Sequence, residues 1–135
     1  MATTTAQLIL TSTDLLSDSL SLSSIATLTT AGSSTGLTGT EGLGRKKTAN
    51  TSEYTLFAAA DATDDKAHKI YLKNLSTTAS EYFIVEVAGT VVGRLYAGDW
   101  AFFPWNADTG TTPDADVKID PSANDMTLEY MLFSE

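Results

Sequence analysis

Residues 69–87 read KIYLKNLSTTASEYFIVEV. Ile70 and Leu72 fall on one side of a two-residue alternation, with Lys69, Tyr71 and Lys73 on the other. Such alternation over a short run is the pattern of a strand with one buried and one wetter face. The polar stretch Asn74 to Ser80 ends it, and Tyr82–Val87 resumes with FIVEV, apolar on both sides except at Glu86. A run of that kind belongs in the middle of a sheet or under a covering chain. Two strands of different character separated by turn residues decide for β-structure here, and the same reading extends in both directions.

Toward the C-terminus, Ala88-Gly89-Thr90 is a hairpin connection to Val91–Tyr96, and Ala97-Gly98-Asp99 leads into Asp99–Phe103. Pro104 ends that strand or confines it to a sheet edge, because proline has no amide to give a ladder. Val117–Ile119 and Thr127–Phe133 follow, set off by the turns Asn106–Asp114 and Pro121–Asn124. Toward the N-terminus lies Glu53–Ala58, and Asp61–Lys69 has room for one short helical turn at most. No window of helical length carries a 3.6-residue apolar stripe. The expected fold is all-β, an antiparallel β-sandwich of jelly-roll type with an extended N-terminal arm. Its core should take Ile70, Leu72, Phe83, Val85, Val87, one of Val91 or Val92, Leu95, Leu128, Tyr130 and Leu132.

Residues 1–52 differ from the rest. They are crowded with Ser and Thr, hold only the acids Asp14, Asp18 and Glu41, and contain no aromatic side chain, Tyr54 being the first ring. Within them Asp18–Thr30 alternates, with Leu20, Leu22, Ala26 and Leu28 on one face. The stretch AGSSTGLTGTEGLGRKK, with glycines at 32, 36, 39, 42 and 44, reads as an irregular loop. The expected division is a Ser/Thr-rich N-terminal arm at 1–52 and a β-sandwich domain at 53–135. The arm either adds strands to the core sheet or lies along neighbouring subunits.

The whole chain has 135 residues, 8 basic and 17 acidic, for a formal charge of −9, with no cysteine and one histidine. One moderate core fits that length. Disulfides, thiolate metal sites and cysteine nucleophiles are excluded by composition. The acidic balance disfavours nucleic acid and anionic membranes and leaves proteins as the expected partners. The start MATTTAQLIL has no basic region of the kind a secretory signal carries, and no apolar run reaches membrane-spanning length.

Candidate chemistry is sparse. His68 has no G-x-S-x-G elbow to serve, and a packing or surface role is expected of it. The run Asn106, Asp108, Asp114, Asp116, Asp120, Asn124 and Asp125 offers hard oxygen ligands, but its spacing fails the EF-hand pattern and suits turn capping. No enzyme, metal or cofactor is expected. The residues expected to meet a partner are Leu20, Leu22 and Leu28, as an apolar strip; Arg45, Lys46 and Lys47, the one basic cluster; and Trp100, Phe102 and Trp105. The competing readings are a solvated basic loop and aromatic rings buried in the chain's own core.

Three stretches in order, KIYLKNLSTTASEYFIVEV, VVGRLYAGDWAFFPW and MTLEYMLFSE, resemble small virion structural proteins of tailed phages, especially marine and cyanobacterial ones. In these a strand ending in KN precedes an R-L-x-x-G-[DE] turn and a last strand containing E-[YF]. The opening STDLLSDSLSLS followed by STGL resembles the start of such proteins. The resemblance implies a virion location and a β-sandwich protomer present in many copies. It points to a capsid decoration (cement) protein on the assembled head, with a tail, baseplate or fibre component as the alternative. The major capsid protein is then the foremost partner, and a homo-oligomer is expected. From a different class, a carbohydrate-binding module would use the Trp100, Phe102 and Trp105 rings as a stacking platform.

Overall fold

The computed structural model describes residues 4–15, 17–28, 37, 39–110 and 115–135. Those residues form an all-β structure of ten strands: β1 (Thr5–Ser12), β2 (Leu20–Thr27), β3 (Gly39–Lys47), β4 (Tyr54–Phe57), β5 (His68–Asn74), β6 (Tyr82–Val87), β7 (Thr90–Tyr96), β8 (Trp100–Trp105), β9 (Val117–Pro121) and β10 (Thr127–Ser134). A single 3-10 turn among the described residues, Ala59–Asp61, ends where the short helical turn was expected to begin. Strands β1 and β2 pair only with each other. The rest form two antiparallel sheets of four, ordered β3-β10-β5-β8 and β4-β9-β6-β7.

The two sheets share one core. Ile70, Leu72 and Leu128 from the first and Phe83, Val117 and Ile119 from the second are fully buried, and Val85 and Leu95 nearly so. Val87, Tyr130 and Leu132 pack partly buried against them. Each is where alternation places an inward side chain. Central β6 carries the FIVEV run, as its two apolar faces require.

One expected core position fails. Val91 and Val92 are 57% and 62% exposed. The pairing steps from Val85↔Gly93 to Glu86↔Val91, so Val92 is the extra residue of a bulge and alternation across it is lost. Gly93 faces Val85, and Leu95 is the next residue of β7 to point inward. The turn before it has two residues with positive φ, Ala88 (52°) and Gly89 (71°), a conformation whose twist matches that of the flanking strands.

Strands β1 and β3 were not expected. The glycine-rich run is a strand because its glycines lie against β10: a Cβ on Gly44 would come within 2.7 Å of the Tyr130 ring, and one on Gly39 within 2.7 Å of Ser134 Oγ. Gly42, with φ +86°, takes the shift of register opposite Leu132. The sheet therefore draws on residues 39–47, upstream of the expected boundary at 52, and Thr48 behind them is fully buried, bonded to the Met126 carbonyl. The part that stands outside both sheets is the β1–β2 hairpin.

Asn74 ends β5 as a buried link. Its Nδ2 donates to the carbonyls of Glu81 (3.3 Å) and Leu95 (3.0 Å), and its Oδ1 accepts from the Ser76 amide (2.9 Å). Its backbone amide also donates to the Asp99 carbonyl. One side chain thereby joins the start of β6, the end of β7 and the turn after β5, with its polar atoms satisfied.

Candidate functional site

The hairpin is in register throughout, Ala6 opposite Ala26, Leu8 opposite Ser24, Leu10 opposite Leu22 and Ser12 opposite Leu20. Alternation sends those eight residues to one face and Gln7, Ile9 and Ile25 to the other. At its base the Leu28 amide bonds to the Thr4 carbonyl and the Leu37 amide to the Leu28 carbonyl, with both leucines buried. At its tip Ser12 Oγ donates to Asp14 Oδ1 (3.1 Å) and accepts from the Leu15 amide (3.1 Å), an arrangement that closes the turn locally. Ile9, Ile25 and Leu15 are 60%, 66% and 70% exposed. Six of the eleven large exposed hydrophobic side chains among the described residues lie on this ribbon.

Beneath the hairpin is the outward face of β5 and β8, where Tyr71 pairs with Phe102 and Lys73 with Trp100. Between the two lies a groove of about 650 Å³, lined by Ala6, Gln7, Leu8, Ser24, Ala26 and Leu28 from above and Tyr71, Lys73, Trp100 and Phe102 from below. Trp100 is 54% exposed. Phe102 is half-buried, edge-on to Phe133 at 6.1 Å. Tyr71 donates its hydroxyl to Glu129 Oε1 (3.2 Å); burial first, and that bond to a carboxylate second, push its phenol above the ordinary tyrosine pKa.

The expected partner residues are thus distributed unevenly. Leu28, Trp100 and Phe102 meet in the groove, while Leu20 and Leu22 lie further along the same hairpin face. Trp105 requires correction. Together with Ala101 and Phe103 it faces inward, 4% exposed, its Nε1–H donated to the Ala115 carbonyl at 2.7 Å and its ring 5.9 Å from Phe57. A buried ring with its one donor committed has nothing left for a partner. Pro104 does lie in an edge strand, β8.

The basic cluster is also engaged within the chain. Arg45 Nε and Nη2 donate to Glu129 Oε2 (3.2 and 3.1 Å), Lys46 Nζ lies 5.1 Å over the Tyr54 ring, and Lys47 Nζ pairs with Asp125 (3.3 Å). For Arg45 and Lys47 the acidic partners are supplied within the chain, by β10 and the turn before it, while Lys46 takes a ring of β4. Sequence reading missed Leu8, Tyr71 and Lys73. The first was legible in the alternation of Ala6, Leu8 and Leu10; the other two were legible only as the outer side of a core strand.

His68 is buried with its ring 5.6 Å from Trp105 and its Nε2 at 3.2 Å from the Thr63 carbonyl, which it meets as the donor. Within the late acidic run Asn106 caps its own turn by accepting the Asp108 amide (3.4 Å), whereas Asp116 accepts the Ala59 amide (2.8 Å) and Asp108 the Asp65 amide (2.9 Å), ties between segments far apart in the chain. Asp114 lies outside the described residues. Comparison of the chain with protein-family models, curated proteins and solved structures gives no match.

Proposed function

We propose that this chain is a phage virion structural protein, a decoration (cement) protein that seats on the assembled head. The observation that carries the reading is the concentration of exposed apolar side chains on a two-stranded ribbon. A hairpin of two strands is marginal in water by itself, and one with apolar residues on both faces gains most when another surface covers it. The N-terminal arm in this reading is residues up to Leu28, an assembly element anchored at its base by Leu28 and Leu37.

The sandwich fits the same reading as a jelly roll. Its eight strands are ordered β3-β10-β5-β8 and β4-β9-β6-β7, so the first strand lies beside the last and most connections cross between sheets. That architecture is common among viral capsid proteins and lectins, which is support by analogy of fold. A ligand that binds only the closed shell stabilises it by mass action, and many weak copies add up on a lattice. No catalytic step enters: His68 is read as a packing side chain, and His68→Ala should leave attachment intact if the domain folds.

The test is to disrupt particles and follow the protein by mass spectrometry of separated heads and tails. Recovery with intact heads supports the decoration role, and recovery with tails supports the tail, baseplate or fibre alternative. A chain lacking residues 2–27 should fold and fail to rebind stripped heads; rebinding at undiminished affinity overturns the hairpin's role. One observation favours a second reading, carbohydrate binding: Trp100 stands open in a groove with Ser24 and Lys73 beside it. Glycan-array binding abolished by Trp100→Ala would establish it.

A further inference from the structure

The hairpin tip and the groove match in character, each apolar and the two opposite in charge. The groove is mainly apolar, and its one charged lining residue is Lys73. Among the described residues Lys73 forms no salt bridge, because its cross-strand neighbour Glu129 is taken by Arg45 and Tyr71. The tip carries the opposite set. Leu15 is the most exposed large hydrophobic side chain among the described residues, at 70%, and Asp14 and Asp18 flank it on a protein of net charge −9. The tip stands at the far end of the ribbon from its buried base, so the groove open to it is that of another molecule.

We infer that the groove receives the hairpin tip of a second copy of this chain, Leu15 entering between Phe102 and Leu8 while Asp14 and Asp18 approach Lys73. This rests on the hairpin being the assembly element and names its neighbour on the particle. A groove of about 650 Å³ takes a few side chains, within the range of pockets that enclose a small ligand. The contact joins two different patches, so copies link head to tail and close into a ring if the rotation allows. Ile9 and Ile25, on the opposite face of the ribbon, stay free for the shell. An apolar knob also suits like-charged molecules, since burial of hydrophobic surface is indifferent to their repulsion while the Lys73 pairing offsets part of it.

The experiment uses the purified full chain, without heads, in sedimentation runs over a concentration series to about 1 mM, the weak end of specific affinity. The wild type should associate with concentration, and its Trp100 emission should shift to the blue as the ring is covered, Trp105 being buried throughout. Leu15→Asp and Lys73→Glu should each weaken association at least tenfold with unchanged circular dichroism. Lys73→Glu combined with Asp14→Lys and Asp18→Lys should recover it. A wild type monomeric to the top of the series, or association indifferent to both single variants, overturns the inference. So does a simple oligosaccharide that shifts Trp100 emission while the protein is monomeric, because it assigns the groove to sugar. Head binding by a strictly monomeric chain would remove this contact and leave the decoration role standing. Self-association through Lys73 and Leu15 without head binding would do the reverse.

Discussion

In the two four-stranded sheets the apolar side chains of one sheet point at those of the other, and Ile70, Leu72, Phe83, Val117, Ile119 and Leu128 lose all contact with water. In the β1–β2 hairpin, built from equally regular strands, Ile9, Ile25 and Leu15 keep most of theirs. The ladders are alike and the environments are opposite. Hydrogen bonding in the ribbon therefore sets its shape, while its stability depends on what lies over it; the sandwich supplies its own cover. Buried apolar surface is concentrated in one region and exposed apolar surface in the other.

That contrast is open to test by deletion, where the largest effects lie. Removing residues 2–50 takes β3 from its place beside β10 and uncovers Tyr130 and Met126, so the cooperative thermal transition should be lost. Removing residues 2–27 leaves both sheets whole, and the transition should survive. If both truncations melt cooperatively, β3 is dispensable and the division between the two regions lies nearer residue 52. Next come single core substitutions: Leu72→Ala or Leu128→Ala should cost about 2–5 kcal/mol in chemical denaturation, through lost burial and the cavity left behind.

Asn74→Ala should cost less, about 1–3 kcal/mol, since the carbonyls of Glu81 and Leu95 lose a donor in a site closed to water. On the hairpin, Ile9→Ser with Ile25→Ser should leave the unfolding free energy within about 0.5 kcal/mol of wild type, as exposed substitutions do, while reducing particle binding in a pull-down. A large loss of stability there would mean the ribbon is packed against the body more tightly than its exposure shows.

The smallest effect is one of pH. The Tyr71 phenol is raised in the folded protein, so folding binds its proton more tightly than the unfolded chain does. The stabilisation is complete below the ordinary tyrosine pKa and is lost as pH rises through the higher folded value. Urea midpoints measured from neutral to strongly alkaline pH should fall in the alkaline range. Tyr71→Phe should flatten that fall.

Alternation was a reliable guide where a strand with one face in the core ran without a bulge. The bounds of β5, β6 and β10, to within one residue, and the inward residues Ile70, Leu72, Phe83, Val85 and Leu128 were legible from it, because burial on one face of a pleated strand imposes a two-residue period on the sequence. It failed in two kinds of place. At Val92 a bulge shifts the period by one, and nothing local marks it. In β3 the glycines that signal a break are required by the close approach of Tyr130 and Ser134 from β10, far along the chain.

The site divides along the same line. That Leu20, Leu22 and Leu28 form a strip, and that Trp100 and Phe102 share a face opposite Ala101 and Phe103, follows from spacing alone, since side-chain direction along a strand is a local property. Which of those faces meets water is not local. Trp105 is one step of the same alternation from Phe103, yet it is buried because the second sheet and the Ala115 carbonyl lie against it. Arg45 and Lys47 look like free charges until β10 and its preceding turn bring Glu129 and Asp125 beside them. Burial and pairing are relations between distant segments, and only the packing of the sheets brings those segments together.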